Sequence, residues 1–271
     1  MTDNLFNRTE LLLGSEAMER IRSKRVIIFG LGGVGSWCAE CLMREGIEHL
    51  TLVDSDVVCV TNCNRQLMAT TKTIGQPKVE ALRTRLLEIN PQADIIALQK
   101  NYSEETASDF SIETYDYVID AIDSLKDKIS LIIRTLSNSP LKGENQRSAT
   151  EVEANSLPLR EGWGGSFFSS MGAALRIDPT KVRVSEFWKI KGDPLAAAMR
   201  SAMRRHKLFP ARKFLCVHSE ETPLPNLGKA LHDGSQTFNK VQTNGSLAHI
   251  TAIFGMTLAG LVIQDICKTT H

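Results

Sequence analysis

Short apolar runs alternate with helix-like stretches along the first half of this chain. Between two of the runs, apolar residues recur at the helical positions Val79, Leu82, Leu86 and Ile89, and this pattern ends before Pro91. Buried strands are predicted for four runs, "RVIIFG", "HLTLVDSD", "ADIIALQK" and "YDYVIDAID". Because strands and helices alternate, the sequence predicts an α/β fold: a Rossmann-like, doubly wound, mainly parallel sheet with helices on both faces.

The alternation stops at residues 138–165, which are rich in Ser, Glu, Asn and Gly and show no period. A connection of this kind is unusual inside a compact domain, so we interpret it as a polar surface insertion after a helix at 127–136. Beyond it, "SFFSSMG", "KVRVSEFW" and "KFLCVHSEE" predict strands, and "DPLAAAMRSAMRRHKLF" predicts a helix with Asp193 as its N-cap. Residues 222–245 are predicted to form a polar loop.

The C-terminal stretch 246–266 is apolar and about long enough to span a bilayer. His249 lies in its first turn, and Gln264 and Asp265 end it. Gly255 and Gly260 fit close packing against another helix. We therefore expect a buried terminal helix and not a membrane anchor.

Composition adds few constraints. The net charge of +1 argues against a strongly electrostatic partner for the whole molecule, although a local basic patch remains compatible with it. The start, "MTDNLFNRTELLLG", lacks the pattern of a cleavable signal. Six cysteines are scattered through the chain, which predicts reduced thiols and a cytoplasmic location.

The first predicted strand ends in a glycine-rich loop. Gly30, Gly32 and Gly35 fit the spacing GxGxxG, and Gly33 lies between them. Such a loop brings backbone N–H groups and a helix N-terminus close to a phosphate. Asp54, at the end of the second strand, is placed to accept hydrogen bonds from a ribose. These features are common to nicotinamide, flavin and ATP sites.

Further polar residues favour ATP. Asn62, Arg65 and Gln66 follow the second strand, and Lys78 begins the next helix. A carboxylate, Asp123, follows the fourth strand. Two cations and a carboxylate suit a triphosphate with Mg²⁺ better than a nicotinamide cofactor, because displacement at phosphorus builds charge that must be neutralised.

Five motifs in register, "GLGGVGS", "LVDSD", "TNCNRQ", "GQPKVEA" and "VIDAIDS", resemble the adenylating domain of the ThiF, MoeB and ubiquitin-activating superfamily. The segments "NRTELLLG", "FFSSMGAALRIDPTKVRVSEFWKIKGDPLAAAMR" and "GSLAHITAIFG" resemble the branch of tRNA threonylcarbamoyladenosine dehydratases. The resemblance covers nearly the whole chain apart from 138–165. It implies a single adenylating domain over 1–271. Its expected parts are an N-terminal arm and helix (1–24), a nucleotide-binding half (25–137), the insertion (138–165) and a substrate and dimer half (166–271).

The resemblance implies a reaction in which ATP adenylates the carboxylate of threonylcarbamoyladenosine in tRNA. A nitrogen of the same side chain then closes a ring and expels AMP, with net loss of water. Arg8 would reach the ATP of the other subunit in a homodimer, and sulfur-transfer proteins are implied as partners. Carried over by position, the roles are ribose binding for Asp54, phosphate binding for Asn62, Arg65 and Lys78, and Mg²⁺ binding for Asp123. Asp120 is expected to be structural, capping the loop before the next helix.

Two other functions remain open from the sequence. One is adenylation of the C-terminus of a ubiquitin-like sulfur-carrier protein, and the other is a nicotinamide-dependent oxidoreductase. Relatives that activate sulfur carriers typically have two CxxC pairs holding zinc in the C-terminal half. Here that half contains only Cys216 and Cys267, which cannot form a four-ligand zinc site, so no zinc is expected.

A basic stretch, "MRSAMRRHKLFPARK", is the predicted tRNA-binding surface. Arg200 and Arg204 are four residues apart and share a helical face, which Lys207 is expected to continue. Arg205 adds a further cation. A solvated helix face would explain an isolated charge run equally well, and the resemblance to tRNA-modifying enzymes favours the functional interpretation.

Overall fold

The computed structural model describes residues 5–137, 163–228 and 244–268. These residues contain a seven-stranded sheet with the order β3-β2-β1-β4-β5-β7-β6, in which β6 alone is antiparallel to its neighbour. From β1 the chain builds outward to β3, then crosses back to β4 on the other side of β1. The strands are β1 (Arg25–Phe29), β2 (His49–Val53), β3 (Asp94–Leu98), β4 (Tyr117–Asp120), β5 (Ser166–Ser170), β6 (Val182–Glu186) and β7 (Leu215–Ser219).

Helices cover both faces of the sheet. One hydrophobic core joins a face of the sheet to α2, α3, α4 and α7, and a second core joins the other face to α5 and α6. This arrangement confirms the predicted doubly wound α/β fold. The helices are α1 (Asn7–Leu13), α2 (Ser15–Ser23), α3 (Gly35–Glu45), α4 (Lys78–Ile89), α5 (Leu125–Leu136), α6 (Pro194–Arg205) and α7 (Ala248–Lys268).

The two ends of α6 follow different local rules. At its start, Asp193 Oδ1 accepts a hydrogen bond from the backbone N–H of Ala196 at 2.9 Å, as an N-cap does. At its end, Lys207 has a φ of 52°, and the N–H of Leu208 bonds back to the carbonyl of Met203 at 2.9 Å. This is the left-handed helix ending usually made by glycine. The expectation that Lys207 continues the helical face was therefore wrong.

The long apolar helix α7 is the one helix, among the described residues, that is long and apolar enough to cross a membrane. Half of the most apolar part of α7 is buried inside the protein. The helix packs mainly against α3 and also contacts β5 and β7. Core helices of soluble proteins meet the same criteria of length and composition, so these criteria alone are weak support for a membrane span.

The predicted insertion at 138–165 lies outside the described residues except for its last three. Trp163 packs against the core on the α5 side and donates a hydrogen bond from Nε1 to the carbonyl of Tyr115 at 2.7 Å. Trp163 therefore belongs to the packed part of the fold, whereas the surface insertion over the preceding residues stays a prediction. The predicted loop at 222–245 is described only at its two ends.

Candidate functional site

The carboxyl ends of the parallel strands align at one edge of the sheet. Phe29, the last residue of β1, is in register with Val53 of β2 and Asp120 of β4, and Asp120 is in register with Ser169 of β5. Because the chain reverses its winding between β1 and β4, this edge has the crevice in which doubly wound folds bind their ligands. The glycine loop lies in this crevice.

The loop from Gly30 to Gly35 turns tightly from β1 into α3. Gly30 has a φ of 86°, and a Cβ on Gly35 would overlap the carbonyl oxygen of Gly30. A side chain at position 35 would therefore force the loop open. Gly32 is less crowded, since a Cβ there would meet only Gln66 Nε2, at 3.9 Å. The loop thus presents backbone N–H groups and the start of a helix toward the crevice, as anion-binding loops do.

The last helix supports this loop from behind. A Cβ on Gly33 would lie 3.0 Å from the side chain of Thr251, and a Cβ on Gly255 would overlap the carbonyl oxygen of Val34. Gly255 therefore lets α7 approach the backbone at the start of α3 closely, as predicted for a helix-packing glycine. The same prediction for Gly260 was wrong, because no described atom lies within 4 Å of a Cβ placed there. Loop, α3 and α7 form one packed unit.

Asp54 connects the loop to the second strand. Its Oδ2 accepts a hydrogen bond from the N–H of Leu31 at 2.7 Å, and its Oδ1 accepts one from the N–H of Asp56 at 2.9 Å. Burial raises the pKa of Asp54 above its ordinary value, while Lys78 and the two N–H groups act in the opposite direction. The carboxylate is thus held in one orientation next to the glycine loop.

Lys78 lies beside Asp54 at the start of α4. Its Nζ is 2.8 Å from Asp56 Oδ2 and 3.9 Å from Asp54 Oδ1, and only 5% of the residue is exposed. A lysine this buried is held by its carboxylate partners. Asp56, which the sequence analysis did not single out, is the nearer of the two.

The segment after β2 brings Asn62, Arg65 and Gln66 to the same region. Asn62 is buried, and its Oδ1 accepts a hydrogen bond from the N–H of Cys59 at 2.9 Å, so it stabilises the turn that carries it. Arg65 is half-buried and donates from Nη1 to the carbonyl of Thr61 at 2.9 Å. Gln66 is buried beside Gly32, and its Oε1 has no hydrogen-bond partner among the described residues.

Asp120 forms a fully buried ion pair beneath the crevice. Its Oδ2 lies 2.9 Å from Lys128 Nζ and accepts a hydrogen bond from Ser169 Oγ at 2.7 Å. Its Oδ1 accepts the N–H of Ile122 at 3.1 Å, which fixes the loop after β4. Burial raises the pKa of Asp120, and Lys128 opposes that shift. Asp120 thus has the structural, loop-capping place expected for it.

Asp123 is exposed in the loop between β4 and α5, at the same edge of the sheet. The described residues contain no group of three or more His, Cys, Asp or Glu side chains placed to hold a metal ion. Mg²⁺ commonly needs only one or two carboxylates, because substrate phosphates and water complete its coordination. A single carboxylate at Asp123 fits that mode of binding.

Arg8 and the basic residues of α6 lie outside the crevice. Arg8 is exposed on α1, which packs against α2. Arg200 donates to the carbonyl of Phe187 at 3.1 Å, and the Arg204 guanidinium lies 5.8 Å from the ring centre of Trp188. Both aromatic residues belong to the turn that directly follows β6.

That turn lies at the edge of the sheet opposite to the glycine loop. Glu186, the last residue of β6, pairs with Leu215, the first residue of β7, and β7 runs parallel to β5. Arg204 and the adjacent exposed Arg205 are therefore separated from the crevice by about the length of a strand, roughly 17 Å.

Comparison with known proteins agrees with this geometry. Residues 6–139 match the ThiF family. The tRNA threonylcarbamoyladenosine dehydratase of Bacillus subtilis is 33% identical to this chain over 267 residues, which cover 97% of the chain and 94% of that relative. The chain belongs to the ThiF family. Within it, the chain belongs to the group of tRNA threonylcarbamoyladenosine dehydratases, and the Haemophilus influenzae relative of that name is 34% identical over 93% of the chain and 89% of its own length.

A solved structure extends the similarity of this ThiF-family chain to the fold. The crystal structure of E. coli tRNA N6-threonylcarbamoyladenosine dehydratase, TcdA, in complex with ATP matches it with a TM-score of 0.77 and 28% identity. The match covers 97% of this chain and 94% of the E. coli chain. The fold and the family are therefore shared over nearly the whole length of both proteins.

Sequence reasoning missed the lysine beneath the crevice of this ThiF-family chain. Lys128 falls on the buried stripe of α5, between Leu125 and Ile132 at helical spacing. A lysine in such a stripe needs a buried carboxylate partner, and Asp120 was available in the same motif. That placement is the signal that could have identified the pair.

Proposed function

We propose that this chain is an ATP-dependent dehydratase that cyclises threonylcarbamoyladenosine in tRNA. The observation that carries the proposal is the similarity, over nearly the full length of both proteins, to relatives that are tRNA threonylcarbamoyladenosine dehydratases. The related E. coli enzyme binds ATP, which supports a triphosphate at the glycine loop. The sulfur-carrier and nicotinamide alternatives are not favoured, because neither agrees with these relatives.

The proposed reaction has two steps. An oxygen of the substrate carboxylate attacks the α-phosphorus of ATP, and pyrophosphate leaves, which gives an acyl-adenylate. A nitrogen of the same side chain then attacks the acyl carbon, closes the ring and expels AMP, so that the base has lost one water. The N–H groups of the glycine loop and the start of α3 are positioned to stabilise negative charge on the phosphates.

Each site residue has a proposed role that its surroundings support. Asp54 would bind the ribose, since backbone N–H groups already fix its carboxylate. Lys78, Arg65, Asn62 and Gln66 would bind the phosphates. Among the described residues Gln66 Oε1 has no hydrogen-bond partner, and the adjacent Gly32 is uncrowded, which supports this role.

Asp123 would hold Mg²⁺, with phosphate oxygens as the other ligands. Bound there, Mg²⁺ would neutralise charge that develops as pyrophosphate leaves. The single exposed carboxylate, three residues beyond the end of β4, supports this assignment.

Mass analysis of tRNA tests the proposed activity. Purified protein with ATP should convert threonylcarbamoyladenosine in tRNA to a product lighter by one water, with release of AMP and pyrophosphate. Deleting the gene should leave the uncyclised base in cellular tRNA. Unchanged tRNA together with an adenylated ubiquitin-like carrier would favour the sulfur-carrier function instead, and tight nicotinamide binding by calorimetry would favour an oxidoreductase.

We further propose a homodimer in which Arg8 reaches the ATP of the partner subunit. Exposed leucines on both sides of Arg8, Leu5, Leu11 and Leu12, support an interface at α1. Mixing Arg8→Ala with Asp123→Ala subunits, each inactive alone, should restore part of the activity, because some hybrid sites would contain both residues. Absence of any recovery, with subunit exchange proven by mass spectrometry, would argue against donation between subunits.

The cations of α6 are proposed to bind tRNA phosphates. Because they lie at the opposite edge of the sheet from the crevice, they would contact a part of the tRNA distant from the modified base. Reversing Arg204 and Arg205 to Glu should weaken tRNA binding and lower the slope of log affinity against log salt by about two, one for each lost phosphate contact. ATP affinity, measured by calorimetry, should not change. A salt slope identical to that of the wild type would remove these residues from the interface.

The cytoplasm is the compartment we propose, since the cysteine pattern of the sequence is typical of reduced thiols. Sulfur-transfer proteins are proposed as partners on the family resemblance. A pull-down from cell extract with the wild-type protein, followed by mass spectrometry, is the measurement that identifies them.

A further inference from the structure

A groove of about 410 Å³ lies between α5, the C-terminal end of α6 and the segment 104–107. Apolar side chains contribute to its lining, among them Leu125, Ile129 and Leu208. Leu208 is 40% exposed, so this apolar surface is open to solvent. The groove is on the sheet face covered by α5 and α6, and neither the glycine loop nor Asp54 lines it.

Positive charge predominates around this groove, which we call the α5–α6 groove. Lys126 and Arg134 line it from α5, Arg205 and His206 line it from the end of α6, and Glu104 is the single carboxylate in the lining. Within the described parts of the chain, none of the four basic side chains forms a salt bridge.

Arginines elsewhere behave differently: Arg44 and Arg85, for example, both pair with Glu40 at 2.7 and 2.8 Å. Lys126 also interacts electrostatically with Glu105, next to Glu104, so the positive charge available to an external anion rests chiefly on Arg134 and Arg205.

The α5–α6 groove follows α5 from Leu125 to Arg134. Its upper end is at Leu125, two residues after Asp123, where α5 begins at the carboxyl edge. At the other end, the lining on α5 reaches Arg134, two residues before the helix ends at Leu136. Lys126 and Arg134 are eight residues apart on α5, about 12 Å along its axis, and both line the groove.

We infer that the α5–α6 groove binds a single-stranded segment of the substrate tRNA, next to the modified nucleotide. This inference rests on the proposed function. Phosphates would contact Lys126, Arg134 and Arg205, and a ribose or base would lie on the apolar floor. Single-stranded nucleic acid is bound in this way, by a positively charged groove with apolar surface beneath it.

Continuity with the crevice favours RNA over an acidic peptide as the occupant. The modified base must reach the carboxyl edge, where the carboxylate would be adenylated, and its neighbours in the RNA leave from that edge. The α5–α6 groove begins there and leads to Arg205, one of the two cations proposed above to contact phosphates. One path on the surface thus joins the reaction site to the basic end of α6.

Two variants test the inference through separate readouts. Lys126→Gln with Arg134→Gln should weaken tRNA binding about tenfold at physiological salt and lower the salt slope by about 1.4, the value for two contacts to single-stranded nucleic acid. Leu208→Gln should weaken binding without changing the salt slope, because it alters only the floor. The matched control is Lys181→Gln with Lys268→Gln, which removes two charges from exposed lysines outside the groove. Fluorescence anisotropy with labelled tRNA supplies affinities, and calorimetry confirms intact ATP binding.

The outcomes separate this inference from the proposed function. If the wild type converts tRNA and the groove variants bind tRNA like the control, the groove inference is wrong and the proposed function stands. If those same variants lose binding to polyglutamate while tRNA binding persists, the groove belongs to an acidic protein partner. If the wild type neither binds nor converts tRNA, both proposals fail. The inference is supported if Lys126→Gln with Arg134→Gln weakens tRNA binding and lowers the salt slope, while Leu208→Gln weakens tRNA binding at an unchanged salt slope.

Discussion

Replacing Lys128 with Met should lower the free energy of unfolding by about 3–5 kcal/mol, the usual consequence of removing one partner of a buried ion pair. Lys128 and Asp120 are both fully buried, and the 2.9 Å contact between them lies beneath the nucleotide crevice. Without the ammonium group, the Asp120 carboxylate would keep Ser169 and one backbone N–H as hydrogen-bond donors, but no opposite charge. Thermal and urea unfolding measure the loss.

Two controls make this prediction specific. The double variant Asp120→Asn with Lys128→Met should recover part of the lost stability, since no unpaired charge remains. Lowering the pH should also reduce the difference in free energy of unfolding between Lys128→Met and wild type. Burial raises the pKa of Asp120, and without Lys128 that pKa would be higher still, so protonation on acidification relieves the buried charge. A gap that widens as pH falls would contradict this account.

Asp123→Ala should reduce turnover by roughly two orders of magnitude or more, the scale observed when a group that stabilises transition-state charge is removed. In the proposed reaction Asp123 holds Mg²⁺ against the phosphates, so its loss should slow adenylation with little effect on folding. AMP release under saturating tRNA and ATP is the measurement. The exposed position of Asp123, after the end of β4, makes a large change in melting temperature unexpected.

A nearby carboxylate provides the matched control for that variant. Asp127, in the first turn of α5, is four residues further along the chain, and Asp127→Ala should retain most of the activity. Unchanged turnover in Asp123→Ala, or an equal loss in both variants, would contradict a specific role for Asp123.

The fold could be predicted from the sequence because its strands, its helix caps and its tight turns each have a local sequence pattern. Strands β1, β2 and β4 are short and almost wholly buried, so they read as continuous apolar runs. The N-cap at Asp193 and the glycine-rich turn after β1 are also local patterns. The order of the strands in the sheet is different, because the antiparallel pairing of β6 with β7 joins residues about thirty positions apart, from Glu186 with Leu215 to Val182 with Ser219. No local pattern specifies such a pairing.

The positions of the site residues likewise depend partly on local sequence patterns and partly on long-range contacts. Asp54, Asn62, Gln66 and Lys78 lie around the glycine loop because all four follow β2, the parallel neighbour of β1, and the end of that strand is visible in the sequence. The prediction that Lys207 continues the helical face of α6 was wrong, because Lys207 itself adopts the left-handed conformation at the end of the helix. The position of Arg204 at the far edge depends on the direction of β6, which is a tertiary property.

The contact between α7 and the glycine loop links nucleotide binding to the packing of the last helix. Gly33 meets Thr251 and Val34 meets Gly255, so the backbone that would hold the phosphates rests directly on α7. Any nucleotide that orders the loop must therefore also favour the docked position of α7, and the linkage is reciprocal. The helix α7 (Ala248–Lys268) is in this sense part of the affinity for nucleotide, and unpacking it would weaken a site that none of its residues needs to touch.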